Sequence, residues 1–96
     1  MGLSEITRES VLAAIAEYNQ LGKAQFLEKY GFHVAKRYFL VLPNQEFPSK
    51  AIAGVAHKYV KAGNRALTSG EFNGGISTVV RKLEELGFHI KDKQNR

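Results

Sequence analysis

One short β-forming run, KRYFLVL at positions 36–42, most constrains what this chain can fold into. The run is rich in β-branched and aromatic residues, is too short for a helix between its flanks, and ends at the turn signal Pro43-Asn44. Residues 46–47 offer a brief hairpin partner, and FHI at 88–90 offers a further strand much later in the chain. The predicted sheet is therefore small, and the rest of the chain must build the core around it.

Apolar residues at helical spacing predict four helices around this sheet. Thr7 is the predicted N-cap of the first helix, Ser49 caps the third, and Tyr59 is expected on the inward face of the third. The predicted helices cover residues 8–19, a shorter stretch ending at Tyr30, 50 to about 62, and about 76–86. We therefore predict an α+β fold: a single small domain with about four helices packed on a short two- or three-stranded antiparallel sheet. This domain is expected to span residues 1–90, with a frayed polar tail at 91–96.

Composition excludes several classes of protein. Ninety-six residues allow one domain with a modest core, and the absence of cysteine removes disulfides and thiolate metal sites. No stretch approaches the ~20 apolar residues of a membrane span, and the beginning of the chain contains acids and does not resemble a signal peptide, so we expect a cytoplasmic protein. The three histidines lie far apart, and no nucleophile or phosphate-loop motif is present. We therefore expect no metal, no cofactor, no membrane partner and no catalysis by this chain.

The position of the positive charge is more informative than its size. The formal net charge is +5, from 14 Lys and Arg against 9 Asp and Glu. Acids and bases cancel over residues 1–46 and again over 84–96, whereas residues 47–83 hold six bases and the single acid Glu71. The whole excess therefore lies in one third of the chain, which favours an anionic partner such as nucleic acid.

The last predicted helix has an unusual order of charges. Gly74 and Gly75 precede it, Arg81 and Lys82 lie in its middle, and acids occupy its final turn. Cations are mildly unfavourable near a helix N-terminus and acids near a C-terminus, so helix stability does not explain this order. An anion bound at the N-terminus does, because free amides, hydroxyls and a guanidinium can converge on a phosphate. The alternative is a glycine turn followed by an ordinary solvated face.

A similar arrangement begins the third helix, where Lys50 follows Ser49. Arg65 lies in the loop between the two helices, where side chains reach outward. Phe72 beside the glycines and Phe47 beside the hairpin are either hydrophobic anchors or stacking groups for a base. The predicted DNA-contacting residues are Ser49, Lys50, Lys58, Lys61, Arg65, Gly74, Gly75, Ser77, Thr78, Arg81 and Lys82.

Three segments of the chain resemble a known family. They are VLAAIAEYNQLGKAQFLEKYGF, YFLVLPNQEFPSKAIAGVAHKY and ALTSGEFNGGISTVVRKLEELGF. Together, over about residues 8–90, they are similar to the N-terminal head domain of ScoMcrA-like HNH endonucleases, bacterial enzymes that cut modified DNA. The resemblance implies that a C-terminal HNH module carries cleavage and that separate middle modules sense the modification. No HNH metal-binding arrangement occurs in these residues.

The resemblance and the charge map lead to two hypotheses from different classes. In the first, the chain is a non-catalytic DNA-binding module that holds the phosphates of double-stranded DNA, with recognition of a modified base as an option. In the second, it is a scaffold domain that docks on other modules of a parent endonuclease or on an acidic partner. A small phage or plasmid protein that uses the head fold against a host nuclease is a third alternative.

Overall fold

The computed structural model describes residues 2–60, 65–68 and 75–93. Over this part of the chain the helices are α1 (Arg8–Leu21), α2 (Lys23–Tyr30), α3 (Ser49–Ala56) and α4 (Gly75–Glu85), and the strands are β1 (Tyr38–Leu42), β2 (Gln45–Pro48) and β3 (His89–Asp92). Short 3₁₀ turns cover Gly2–Glu5 and His57–Tyr59. The predicted α+β class is confirmed. Within the described residues, no helix has both the length and the apolar character that crossing a bilayer requires.

Helices α1 and α2 begin and end at the residues that local chemistry favours. Thr7 Oγ1 accepts a hydrogen bond from the Ser10 amide at 3.1 Å, and Ser10 Oγ accepts one from the Thr7 amide at 2.9 Å. This reciprocal cap satisfies two amides that a helix start leaves unpaired, so the predicted N-cap is confirmed. Helix α2 ends at Gly31, whose φ of 73° lies in the left-handed region that glycine adopts without strain.

The sheet has the order β2-β1-β3, with β1 in the centre and both neighbours antiparallel to it. A two-residue turn at positions 43–44 joins β1 to β2, as the sequence predicts. Strand β3 includes Lys91 and Asp92, and the Lys93 amide donates to the Arg37 carbonyl at 2.8 Å, so the predicted frayed tail is wrong for these three residues. Residues 94–96 of that tail lie outside the described part of the chain.

The hydrophobic core lies between the helices and the inner face of the sheet. Its largest fully buried side chains include Phe26, Phe47, Ile6, Leu40, Ile52 and Leu83. Tyr18 meets Phe26 and Phe47 edge to face, with ring centres 5.2 and 5.1 Å away, a geometry that adds to the stabilisation from burial. Phe47 is therefore a core anchor rather than a stacking group for a base. Phe72 lies outside the described residues.

Helix α3 differs from the prediction at both ends. Its N-cap is Pro48 rather than Ser49, and the Ser49 hydroxyl donates instead to the Tyr38 carbonyl at 3.1 Å. The α-helix ends at Ala56, and the chain continues as a 3₁₀ turn through Tyr59. The tighter turn changes which way each side chain faces, and Tyr59, predicted to point inward, is 42% exposed.

Candidate nucleic-acid interface

Five of the predicted contact residues lie along α4. Gly75 is its first residue, Ser77 and Arg81 are exposed, and Thr78 and Lys82 are half-buried. Since residues three and four apart share a helix face, the two hydroxyls and Arg81 form one polar stripe that begins in the first turn. The Lys82 ammonium is turned toward the N-terminal segment, where it donates to a backbone carbonyl at 3.4 Å. Helix α4 therefore offers the hydroxyls and Arg81 to a ligand more directly than it offers Lys82.

The two predicted contacts at the beginning of α3 differ in exposure. Lys50 is half-buried, with part of its side chain open to solvent. Ser49 is 1% exposed, and its hydroxyl is bound to the Tyr38 carbonyl. A buried hydroxyl with a backbone partner cannot reach a phosphate. We therefore remove Ser49 from the predicted interface and keep Lys50.

Residues 65–67, which include Arg65, are held against α3. His57 Nδ1 donates to the Arg65 carbonyl at 2.8 Å, and the Leu67 amide donates to a carbonyl in α3 at 2.9 Å. The backbone of Arg65 therefore has a defined position beside α3, while its side chain is exposed. Two other predicted residues of this connection, Lys61 and Gly74, lie outside the described residues.

Lys58 belongs to a polar cluster that the sequence analysis does not identify. Its Nζ donates to Tyr30 Oη at 2.9 Å and to Glu17 Oε1 at 3.4 Å. Glu17 is 8% exposed, and it also accepts hydrogen bonds from Lys29 Nζ at 3.0 Å and from the hydroxyls of Tyr30 and Tyr59. We call these five residues the Glu17 cluster. Because its carboxylate compensates the charge of Lys58, we remove Lys58 from the predicted interface.

The Glu17 carboxylate and the Lys58 ammonium are both charged at neutral pH. Burial by itself raises the pKa of Glu17, but the hydrogen bonds from Tyr30, Tyr59 and Lys29 and the charge of Lys58 outweigh burial and lower this pKa from 4.5 to about 2. The hydrogen bond to Tyr30 and the charge of Glu17 raise the pKa of Lys58 above its ordinary value. One carboxylate on α1 thereby ties α2 and the 3₁₀ turn after α3 to the same point.

A groove of about 410 Å³ opens where the beginnings of α3 and α4 meet the segment that precedes β1. It is lined by residues 32–38, residues 48–51 and Ile76, and we call it the basic groove. Its lining mixes apolar side chains, among them Val34 at 56% exposure, with the cations Lys36, Arg37 and Lys50. Of the described residues that line it, none is acidic. The basic groove can therefore receive an anionic ligand that also has an apolar part.

Lys36 and Arg37 do not stand out in the sequence, because acids elsewhere in residues 1–46 cancel their charge when the charges are counted. Their adjacency just before β1 is the signal that could have identified them. Arg37 forms a bidentate pair with Asp92, with Nε–Oδ1 and Nη2–Oδ2 distances of 2.9 and 3.1 Å, and its guanidinium carbon lies 4.8 Å from the centre of the Tyr38 ring. Asp92 thus orients Arg37 over the ring and balances its charge. Lys36 and Lys50 are the other cations of the groove.

Comparison with known proteins places this geometry in a family. The family described as ScoMcrA-like, N-terminal head domain, matches residues 4–92. The chain is also similar to a solved structure, that of the Type IV phosphorothioation-dependent restriction endonuclease ScoMcrA, with 35% sequence identity over 92% of this chain and a TM-score of 0.67. The match spans 13% of that endonuclease chain. No curated protein matches. The chain therefore belongs to the family of ScoMcrA-like N-terminal head domains.

Proposed function

We propose that this chain is a non-catalytic DNA-binding module that holds the phosphates of double-stranded DNA across the basic groove and the outer face of α4. One observation carries the proposal: the beginnings of α3 and α4 open on the same groove, since Lys50 and Ile76 both line it. Lys36 and Arg37 line that groove too, so cations from separate segments converge at one place. Duplex DNA presents a dense line of negative charge, which such a convergence attracts.

Each group has a distinct role in this proposal. Lys36 and Lys50 neutralise phosphates at the basic groove, and Arg81 extends the contact along α4. The hydroxyls of Ser77 and Thr78, with the amides of the first turn of α4, donate to phosphate oxygens and fix the register of the backbone. The remaining predicted contacts are Lys61, Arg65, Gly74, Gly75 and Lys82.

Membership in the head-domain family supports a role in a restriction system. The relative of known structure is a phosphorothioation-dependent restriction endonuclease, and this chain matches a small part of it. We propose that the head domain supplies DNA affinity in the cytoplasm of a bacterium, while other modules of a parent enzyme cut the DNA. Recognition of a modified base or backbone by the head itself is the finer form of this proposal.

Fluorescence anisotropy with a labelled duplex at several salt concentrations tests the proposal. Lys36→Ala/Lys50→Ala removes two phosphate contacts, so the slope of log affinity against log salt should become shallower by about 1.8. The control Lys23→Ala/Lys91→Ala removes the same charge outside the groove, from the exposed Lys23 and from Lys91, which pairs with Glu46 at 3.6 Å, and it should leave the slope unchanged. No affinity for the duplex at low salt, or equal slopes for the wild type and the groove variant, would contradict the proposal. Methylated, hydroxymethylated and phosphorothioate duplexes in the same assay test recognition of a modification.

A second candidate function is docking on another protein module. The observation that favours it is the apolar part of the basic groove, where Val34, which is 56% exposed, shares the lining with Ile76, because grouped apolar surface is typical of an interaction site. Binding to the other modules of a parent endonuclease, without measurable affinity for any duplex, would support this candidate against the first.

A further inference from the structure

The basic groove is more apolar than phosphate binding requires. Phe32, Val34 and Ile76 contribute to its lining, together with Tyr38. Phosphates need cations and hydrogen-bond donors, and they gain nothing from aliphatic or aromatic surface. Exposed apolar surface is unfavourable in water, so a ligand that covers Val34 gains free energy from its burial. The full lining therefore fits a ligand that joins a negative charge to a flat apolar body.

We propose that the basic groove takes one unpaired nucleotide, such as a bulged or terminal base, with its phosphate at Lys36 and Lys50 and its base against Val34 and the neighbouring rings. This inference rests on the proposed DNA-binding function and names the part of DNA that the groove selects. Stacking and apolar contacts to a base are tolerant of sequence, because every base has a π-face. The head domain would then prefer unpaired positions without reading their sequence.

The shape of the site favours a nucleotide over an acidic peptide. The volume of about 410 Å³ lies within the range of roughly 300–1,000 Å³ that is typical of sites for small molecules. A peptide that adds a strand needs a free sheet edge, but Tyr38 belongs to the central strand β1, and Pro48, at the end of the edge strand β2, has no amide hydrogen to donate. A docked helix needs an extended apolar track for several turns, which a lining of three short segments does not supply. A single base with its phosphate has the size and the charge that this groove offers.

Three matched DNA ligands test the inference: a continuous duplex, the same duplex with one bulged nucleotide, and the same bulge with an abasic sugar in place of the base. The two bulges share their charge and a similar flexibility, so the ratio of their affinities isolates the base. We expect the bulge with a base to bind at least about fivefold more tightly than the abasic bulge, the lower end of what base stacking contributes. Their salt dependence should be the same, because the phosphate contacts are the same.

A variant pair locates the effect on the protein. Val34→Glu places a carboxylate in the groove at a position exposed enough to leave folding intact, and it should bring the ratio between the two bulges close to one. Leu12→Glu makes the same kind of change at a residue on α1 that is 43% exposed and outside the groove, and it should keep the ratio. The ratio corrects for the general loss of affinity that any added acid causes.

The outcomes separate this inference from the proposed function. Equal affinity for the two bulges, with duplex binding retained, overturns the unpaired-nucleotide site and leaves the DNA-binding function standing. A base preference that Val34→Glu does not reduce overturns the assignment to this groove. Failure to bind any of the three DNA ligands overturns both, and binding of an isolated protein module that Val34→Glu abolishes would then assign the groove to protein docking.

Discussion

The Glu17 cluster and the basic groove use lysine in opposite ways. In the cluster, the buried Glu17 carboxylate compensates Lys58 and Lys29, and all three hold helices together. In the groove, Lys36 and Lys50 lie beside apolar side chains, and none of the described residues that line it is acidic. A positive charge in the sequence therefore indicates an anionic partner only when the carboxylates that the fold brings near it are known. Substitutions in the Glu17 cluster should therefore change stability, and substitutions in the basic groove should change the binding of DNA.

The largest effect should come from Glu17→Gln. The substitution removes the charged acceptor of a site where Glu17 is 8% exposed, while the Lys29 and Lys58 side chains left without it are 51% and 36% exposed and remain solvated. The lost charged hydrogen bonds cost about 1.5–3 kcal/mol of unfolding free energy. For a domain of this size that corresponds to a fall in Tm of about 6–24 °C. Calorimetry or urea unfolding measures it. Glu28→Gln, which neutralises an exposed acid on α2, should change the stability by less than about 0.5 kcal/mol. Equal Tm values for the two variants would show that the cluster is not a structural centre.

Acid should weaken the Glu17 cluster in the wild type. The pKa of Glu17 is about 2 in the folded chain against 4.5 in the unfolded chain, so between these values the unfolded chain binds more protons. Stability is therefore complete above about pH 5 and falls as the pH drops toward 2, by a few kcal/mol at ~1.4 kcal/mol per pH unit of difference. Urea unfolding at a series of pH values measures the loss. Because Gln does not titrate, Glu17→Gln should lose less stability over the same interval, and parallel curves would contradict the assignment.

Local chemistry explains why much of the fold could be predicted. The Thr7 cap, the end of α2 at Gly31 and the turn at residues 43–44 each depend on neighbouring residues, and the structure confirms all three. The end of α3 could not be predicted in this way, because Tyr59 is held by a hydrogen bond to Glu17, 42 positions away. A sequence pattern contains no signal for a pairing at that distance.

The candidate site could be predicted only in part, for the same reason. The polar stripe on α4 follows from helical spacing alone, because Ser77 and Arg81 are four residues apart and share one face of the helix. Lys50 and Lys58 both belong to the predicted DNA contacts, and only the fold shows that Glu17 pairs with Lys58. Lys36 could not be predicted, because a count of charges over a segment does not show which charged side chains lie close together in the fold.

An effect of intermediate size is expected when one lysine of the basic groove and one lysine of the Glu17 cluster are replaced in turn. Lys36→Gln should make the salt dependence of DNA binding shallower by about 0.9, the value for one phosphate contact, and should leave stability nearly unchanged because the side chain is exposed. Lys58→Gln should keep the salt dependence and instead cost about 1–2 kcal/mol of stability, since a charged hydrogen-bond donor is lost from the cluster. Salt titrations of DNA binding and urea unfolding measure the two quantities for both variants. The reverse pattern would move the interface to Lys58.

The smallest effect should come from Asp92→Asn, which makes the edge of the basic groove more positive. Asp92 now balances Arg37, and the amide that replaces it keeps one acceptor oxygen but carries no charge. Arg37 would then be available to a phosphate, so the salt dependence of DNA binding should steepen by up to about 0.9. Glu28→Gln raises the net charge by the same amount outside the groove lining, and it should steepen the dependence much less, because it releases no arginine for a phosphate. If the two variants gain equally, the chain attracts DNA through its total charge, and the basic groove has no special part in binding.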